Sequence, residues 1–299
     1  MRNNPVYKRE KTIRSRSFRM PLVILLFNGI LAVAVLLNMY QTVAQVKISS
    51  SIQYSSFLDL YAFVAILEFL LLMFIMPALT SGSISGERER QTLELLFTTK
   101  MSPKDIILGK LMSAFNQLMI LVISSLPIVL LSFVYGSVNF MDLCLLMICF
   151  MTVALFAGSV GMLFSACIRR STFSNVCTYG VLLFLVVGSY MINIFILNIH
   201  EMQLSNMIIP MGEVRPVADT GALVYLLLMN PVATFAEILG KQVSGGAGML
   251  SIRQFLGGRT DGVLASFWVP ISLAVQIVLS FGLIRGAVYF LNPAKNEKK

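Results

Sequence analysis

Apolar positions along this chain fall in long, nearly continuous runs separated by short polar connections. A helix needs about 20 mostly apolar residues to cross about 30 Å of hydrocarbon. Six segments meet that length: Pro21–Ala44, Phe57–Leu79, Ile106–Tyr135, Leu143–Ile168, Val176–Ile199 and Leu264–Leu291. The pattern predicts an all-α integral membrane protein with six transmembrane helices. The third run carries Lys110 near its start and Pro127 inside, so its first turns should project from the membrane and a kink is expected near Pro127. The first run follows a basic stretch of twenty residues and exceeds the about 7–15 apolar residues of a signal peptide, so it reads as an uncleaved span.

A seventh stretch, Gly221–Gly240, is nearly long enough to cross. Its strongest apolar run, Ala222–Met229, stops at Asn230-Pro231, and Glu237 follows. An interruption of this kind suits a re-entrant or interfacial hairpin before the sixth span. Six spans place both termini on one side.

Charge assigns that side. Eighteen of the 23 lysines and arginines lie in residues 1–20, in 80–110, at Arg169-Arg170 and at the C-terminal end. The positive-inside bias makes these segments cytoplasmic and residues 200–263 extracytoplasmic. The expected location is a plasma (inner) membrane, multi-pass, of bacterial type.

Composition removes other classes. Hydrophobic residues make up 57% of the 299 and charged residues 12%, too few to cover a water-facing surface. No polar region is long enough for a second core, so residues 1–299 read as a single domain. The net charge of +9 is dispersed between apolar runs, which argues against nucleic acid. Cys144, Cys149, Cys167 and Cys177 form no CxxC pair and read as buried thiols rather than a disulfide frame or metal site.

The connection at residues 80–105 is the most informative. If helical from about Ser85, it sets Leu93, Leu96 and Phe97 on one face. Glu87, Arg90 and Glu94 then place opposite charges on neighbouring turns. Such a short amphipathic helix offers a charged surface of both signs to another protein. A solvated loop with a charge run is the plainer alternative. Ser102 suits the N-cap of the next helix, Pro103 its first turn and Asp105 the capping-box acid.

From Ile84 to Lys110 the chain reads ISGERERQTLELLFTTKMSPKDIILGK. This run resembles the cytoplasmic signature of type-2 ATP-binding-cassette transporter permeases, E-x-E-x-G-T-L-E-x-L-x-x-T-P-x-S followed by a helix start ending in G-K. Glu87, Glu89, Thr92, Leu93, Glu94, Leu96, Thr99, Ser102, Gly109 and Lys110 sit where the pattern expects them. Gln91 stands in place of the usual glycine and Lys100 in place of the frequent proline. Since glutamine favours helix, a weaker bend is expected after the charged run.

The resemblance implies that this segment is a coupling helix, contacting a separate ATPase subunit through Glu87, Arg88, Glu89, Arg90, Thr92, Leu93, Glu94, Leu96 and Phe97. Arg169 and Arg170 would form a second, lesser contact. It further implies two ATPase subunits, a second six-span permease chain (identical or not), and export rather than import. ATP and magnesium would belong to the partner subunit, with no cofactor bound by this chain. The sequence has no G-x-x-x-x-G-K-[ST] loop and no HExxH, and its one histidine, His200, lies in no metal or triad pattern.

Glu68 lies near the middle of the second span, where a charge costs about 2.5–3.5 kcal/mol. It is either a translocation-path or proton-relay group, or the partner in an inter-helix hydrogen bond with Asn28, Asn38, Asn116 or Gln117. Gly282 and Gly286 have GxxxG spacing, a weak dimerisation signal. Two other functions stay open: a force-transmitting subunit without transport, and an ion-coupled carrier using Glu68.

Overall fold

Peptide groups in hydrocarbon find no solvent partners, so a long apolar run must satisfy them internally as helix. The computed structural model describes residues 5–15, 18–49, 55–98, 101–134, 139–207, 217–244, 252–256 and 266–292, and contains no strand among them. In order these form α1 (Pro5–Ser15), α2 (Arg19–Ser49), α3 (Ser55–Ser81), α4 (Ser85–Glu89), α5 (Leu93–Thr98), α6 (Pro103–Val134), α7 (Phe140–Cys167) and α8 (Ser171–Leu183). A π turn (Phe184–Gly188), α9 (Ser189–Ser205), a 3-10 helix (Gly221–Met229), α10 (Pro231–Ser244), α11 (Arg253–Leu256) and α12 (Trp268–Leu291) follow.

Six stretches are long and apolar enough to cross a membrane: Pro21–Gln41, Leu58–Glu89, Pro103–Leu130, Phe140–Cys167, Ser171–Ser205 and Trp268–Leu291. They overlap the six expected spans, the second running past Leu79 through α4 to Glu89, and α6 continues unbroken through Pro127. The fifth begins earlier than hydropathy suggested and runs on past His200 to Ser205.

The chain forms two compact units. The first comprises Met1–Tyr179 and Leu279–Lys299. Within it α3 packs on α6 and α7, while α2 lies on α3 and α6. Phe27 and Leu31 of α2 are buried with Leu121 of α6, while Leu25, Leu26, Val33, Leu36 and Leu37 face outward, as lipid contact requires. Two adjacent serines of α6 tie it to both neighbours. Asn28 of α2 donates to Ser124 (2.8 Å), and Ser125 donates to the fully buried Glu68 of α3. Glu68 is therefore paired, but with Ser125 rather than with any of the four amide side chains expected.

Among the described glycines, the tightest approaches to another helix are at small residues of α7. A Cβ at Gly158 would strike the Met76 side chain, and one at Gly161 would strike Thr80 and sit 3.1 Å from the Ser81 nitrogen. Van der Waals packing of this kind drives helix association in lipid. By contrast Gly282 is open, and Gly286 abuts Leu163 of the same unit at 3.1 Å.

The second unit is Gly180–Val278. Its interrupted segment bends by 95° between Gly221–Met229 and Pro231–Val243, at the Asn230-Pro231 break. Asn230 Oδ1 accepts from the Val232 nitrogen (2.9 Å), an asparagine N-cap with proline in the first turn. The Asn230 amide donates to Val186 O (3.0 Å) in the π turn and to Ser189 Oγ (2.7 Å). Thr234, Ser272 and Gln276 extend this buried polar knot, the Gln276 amide donating to Thr234 Oγ1 (2.7 Å) and the Thr234 and Ser272 hydroxyls bonding each other.

None of the four cysteines forms a disulfide. Only Cys149 is buried; Cys144 and Cys177 are half-buried and Cys167 is exposed, so the expectation of uniformly buried thiols is corrected. An apolar neighbourhood in sequence does not bury a residue at the end of a span.

Candidate functional site

The charged connection leaves the second span through a serine-rich turn. Ser81 bonds the Asn175 side chain, and Ser174 donates to the Ser81 carbonyl (2.6 Å). Gly82, Ser83 and Ile84 then turn the chain into α4. A helix start leaves backbone N–H groups without intrahelical partners. Here Ser165 of α7 supplies the acceptor, taking the Ile84 nitrogen at 2.8 Å and the Ser85 nitrogen at 3.1 Å. α4 is thus capped from another span.

Each charged side chain of α4 is anchored to a different element. Glu87 accepts from Lys110 of α6 at 2.6 Å, and the same Nζ donates to Ser83 O (3.0 Å) and to Glu10 of α1 (3.1 Å). The Lys110 side chain is only 3% exposed, so these three acceptors offset the desolvation of its charge. Arg88 is half-buried and donates to Ala166 O of α7 at 3.2 Å. Glu89 accepts the backbone N–H (2.9 Å) and hydroxyl (2.7 Å) of Ser171, the first residue of α8. This negative group at a helix N-terminus is favourable.

The expected single rod from Ser85 to Phe97 is instead two short helices. Gln91 has φ 57°, the only positive φ at a non-glycine among the described residues. The Thr92 N–H bonds Glu87 O (3.0 Å) and the Gln91 N–H bonds Arg88 O (3.1 Å). This is a Schellman ending, whose left-handed position glycine usually fills. The weaker bend expected from glutamine is therefore not found: the anchors on α6, α7 and α8 fix where α4 lies, and the chain turns at Gln91 regardless of residue type.

Beyond the turn, Thr92 is half-buried with its hydroxyl on Glu87 O (3.2 Å), and Leu93 is buried within the chain itself. Arg90, Gln91 and Glu94 are exposed and Phe97 is half-buried. The side chain of Leu96, and residues Thr99 and Lys100, lie outside what the structure describes. α6 starts as its sequence suggested, with the Asp105 nitrogen on Ser102 Oγ at 3.2 Å and the Ser102 hydroxyl on the Asp105 carboxylate. Arg169 and Arg170 are exposed in the short α7–α8 link, next to the Glu89–Ser171 contact.

Sequence reasoning missed Ser165, and it missed that Ser171, within the second cytoplasmic connection, anchors α4 to α8. Neither carries a local signal, since a lone serine near a span end is unremarkable until the partner segment is placed. His200, in the second unit, has its Nδ1 on Asp219 O and 3.9 Å from the Asp219 carboxylate. No group of three or more metal-ligating side chains occurs among the described residues.

Set beside known proteins, residues 6–283 match the family model described as ABC-2 family transporter protein, a stretch that includes α4, α5 and every anchor named above. No curated protein matches the chain.

Proposed function

The chain belongs to the ABC-2 family of transporter proteins, and from that premise we propose that it is the permease subunit of an ATP-driven exporter. In this reading the α4–α5 connection is cytoplasmic and docks on a separate ATPase subunit that hydrolyses ATP with magnesium. Two such ATPase subunits and a second six-span permease chain complete the transporter, which moves an amphipathic, lipid-like or peptide-like substrate outward.

One observation carries the proposal. α4 is bonded at once to α6 through Lys110, to α7 through Ser165 and Ala166, and to α8 through Ser171, while Arg90, Gln91 and Glu94 stay exposed. A push on the exposed turn therefore reaches the cytoplasmic ends of three spans together. A solvated loop would need no such anchoring.

Replacing Leu93 would disturb the chain's own interior, so the exposed charges make the cleaner test. R90A/E94A should insert normally and bind the ATPase subunit about two- to thirtyfold more weakly in a pull-down, from two rim contacts of about 0.2–1 kcal/mol each. Undiminished binding would count heavily against docking at this turn.

A further inference from the structure

Among the first nineteen residues are seven lysines and arginines and a single acid, Glu10. The structure turns that acid inward. Glu10 accepts from buried Lys110 at 3.1 Å, and Val6, four residues earlier on the same face, is 5% exposed. Lys8 and Arg9 are exposed on α1. With Glu10 turned to Lys110, the exposed charges described on α1, Lys8 and Arg9, are both positive.

Geometry sets the depth of α1. The third span, Pro103–Leu130, has 28 residues, about 42 Å of helix against about 30 Å of hydrocarbon. About 12 Å, or eight residues, is left over. If that surplus lies at the cytoplasmic end, Lys110, seven residues in, sits at the hydrocarbon boundary. α1 is held beside it through Glu10 and packs on α6. From the other side, only residues 16–18 separate α1 from α2, so Ser15 lies within about 14 Å of the start of α2. Both tethers keep the helix level with the headgroup layer, within about one or two Debye lengths of the lipid charge.

We propose that α1 binds anionic lipid headgroups, with Lys8 and Arg9 as exposed contacts. Seven bases precede the first span, and a basic juxtamembrane cluster is the chemistry that anionic leaflets attract. Lys110 holds Glu10 and Glu87 on one ammonium, so a headgroup on α1 is two ion pairs away from α4. The inference rests on the membrane orientation adopted above, but its test uses no ATPase subunit, so the docking proposal can fail while this one stands.

The test titrates phosphatidylglycerol into the full-length chain in neutral detergent and reads the melting temperature. A rise is expected with phosphatidylglycerol and none with phosphatidylcholine at equal concentration. K8Q/R9Q should move the half-maximal concentration up about 25-fold, about fivefold per charge. The charge-conserving K8R/R9K should keep the wild-type value, and 0.5 M salt should weaken the response as screening requires. An unchanged half-point in K8Q/R9Q, an equal response to phosphatidylcholine, or the same rise from inorganic phosphate would overturn the proposal.

Discussion

Gln91 offers a sharp test of how α4 is positioned. Its φ of 57° is enforced by the two Schellman bonds of Thr92 and Gln91. For a residue with a Cβ the left-handed region costs about 1–2 kcal/mol, and glycine removes that cost while losing about 0.5–1 kcal/mol more chain entropy. The net gain for Q91G is about 0.5–1 kcal/mol, taken at the middle of both ranges. The side chain is exposed, so no packing is lost. Gains of that size slow local opening about two- to fivefold. Hydrogen exchange of the peptide containing residues 84–94, in detergent, should show this slowing in Q91G at the Gln91 and Thr92 positions. Q91A has the same Cβ and should exchange like the wild type, whereas Q91V, with a branched Cβ, should exchange faster. If Q91G exchanges no more slowly than the wild type, the strain is absent, and the claim that tertiary anchors override residue preference fails with it.

Two further outcomes follow from the same contacts. S165A leaves the Ile84 and Ser85 nitrogens without their acceptor, a loss of about 1–3 kcal/mol. It should raise exchange of those amides at least fivefold while the spans stay protected. E68Q retains an acceptor for Ser125 within an inter-helix bond worth about 0.6–1.7 kcal/mol. It should therefore leave expression and reconstituted ATP-driven turnover nearly unchanged, and loss of turnover at normal expression would make Glu68 a path or relay group instead.

What could be read from the sequence divides along the range of the forces involved. The six spans were legible because an apolar run of sufficient length is by itself a sufficient condition for a membrane helix. The break at Asn230-Pro231 and the cap at Ser102 were legible because each acts on its own next few residues. The bend at Gln91 was not, because local preference there favours continued helix, and the opposing forces come from Lys110, Ser165 and Ser171, about 20, 75 and 80 positions away. Serine partners in the spans were overlooked for a related reason. Ser125 was passed over for asparagine and glutamine because a hydroxyl draws little notice in an apolar run, although it is short enough to fit between α3 and α6. Likewise Gly282 and Gly286 attracted attention by their spacing, whereas the tight approach runs through Gly158 and Gly161, three apart rather than four.

The π turn in the fifth span bears on how the protein is made. A widened turn departs from the regular α-helical ladder, and Val186 O accepts from the Asn230 amide (3.0 Å), 44 positions further along the chain, as well as from the nearby Ser189 hydroxyl (3.4 Å). During synthesis that donor has not yet emerged when the fifth span reaches the membrane. The span can enter with the Ser189 hydroxyl as a local donor to Val186 O, and it gains the Asn230 bond only after the hairpin folds back. The polar lock on this turn is then completed later than the insertion of the span that carries it.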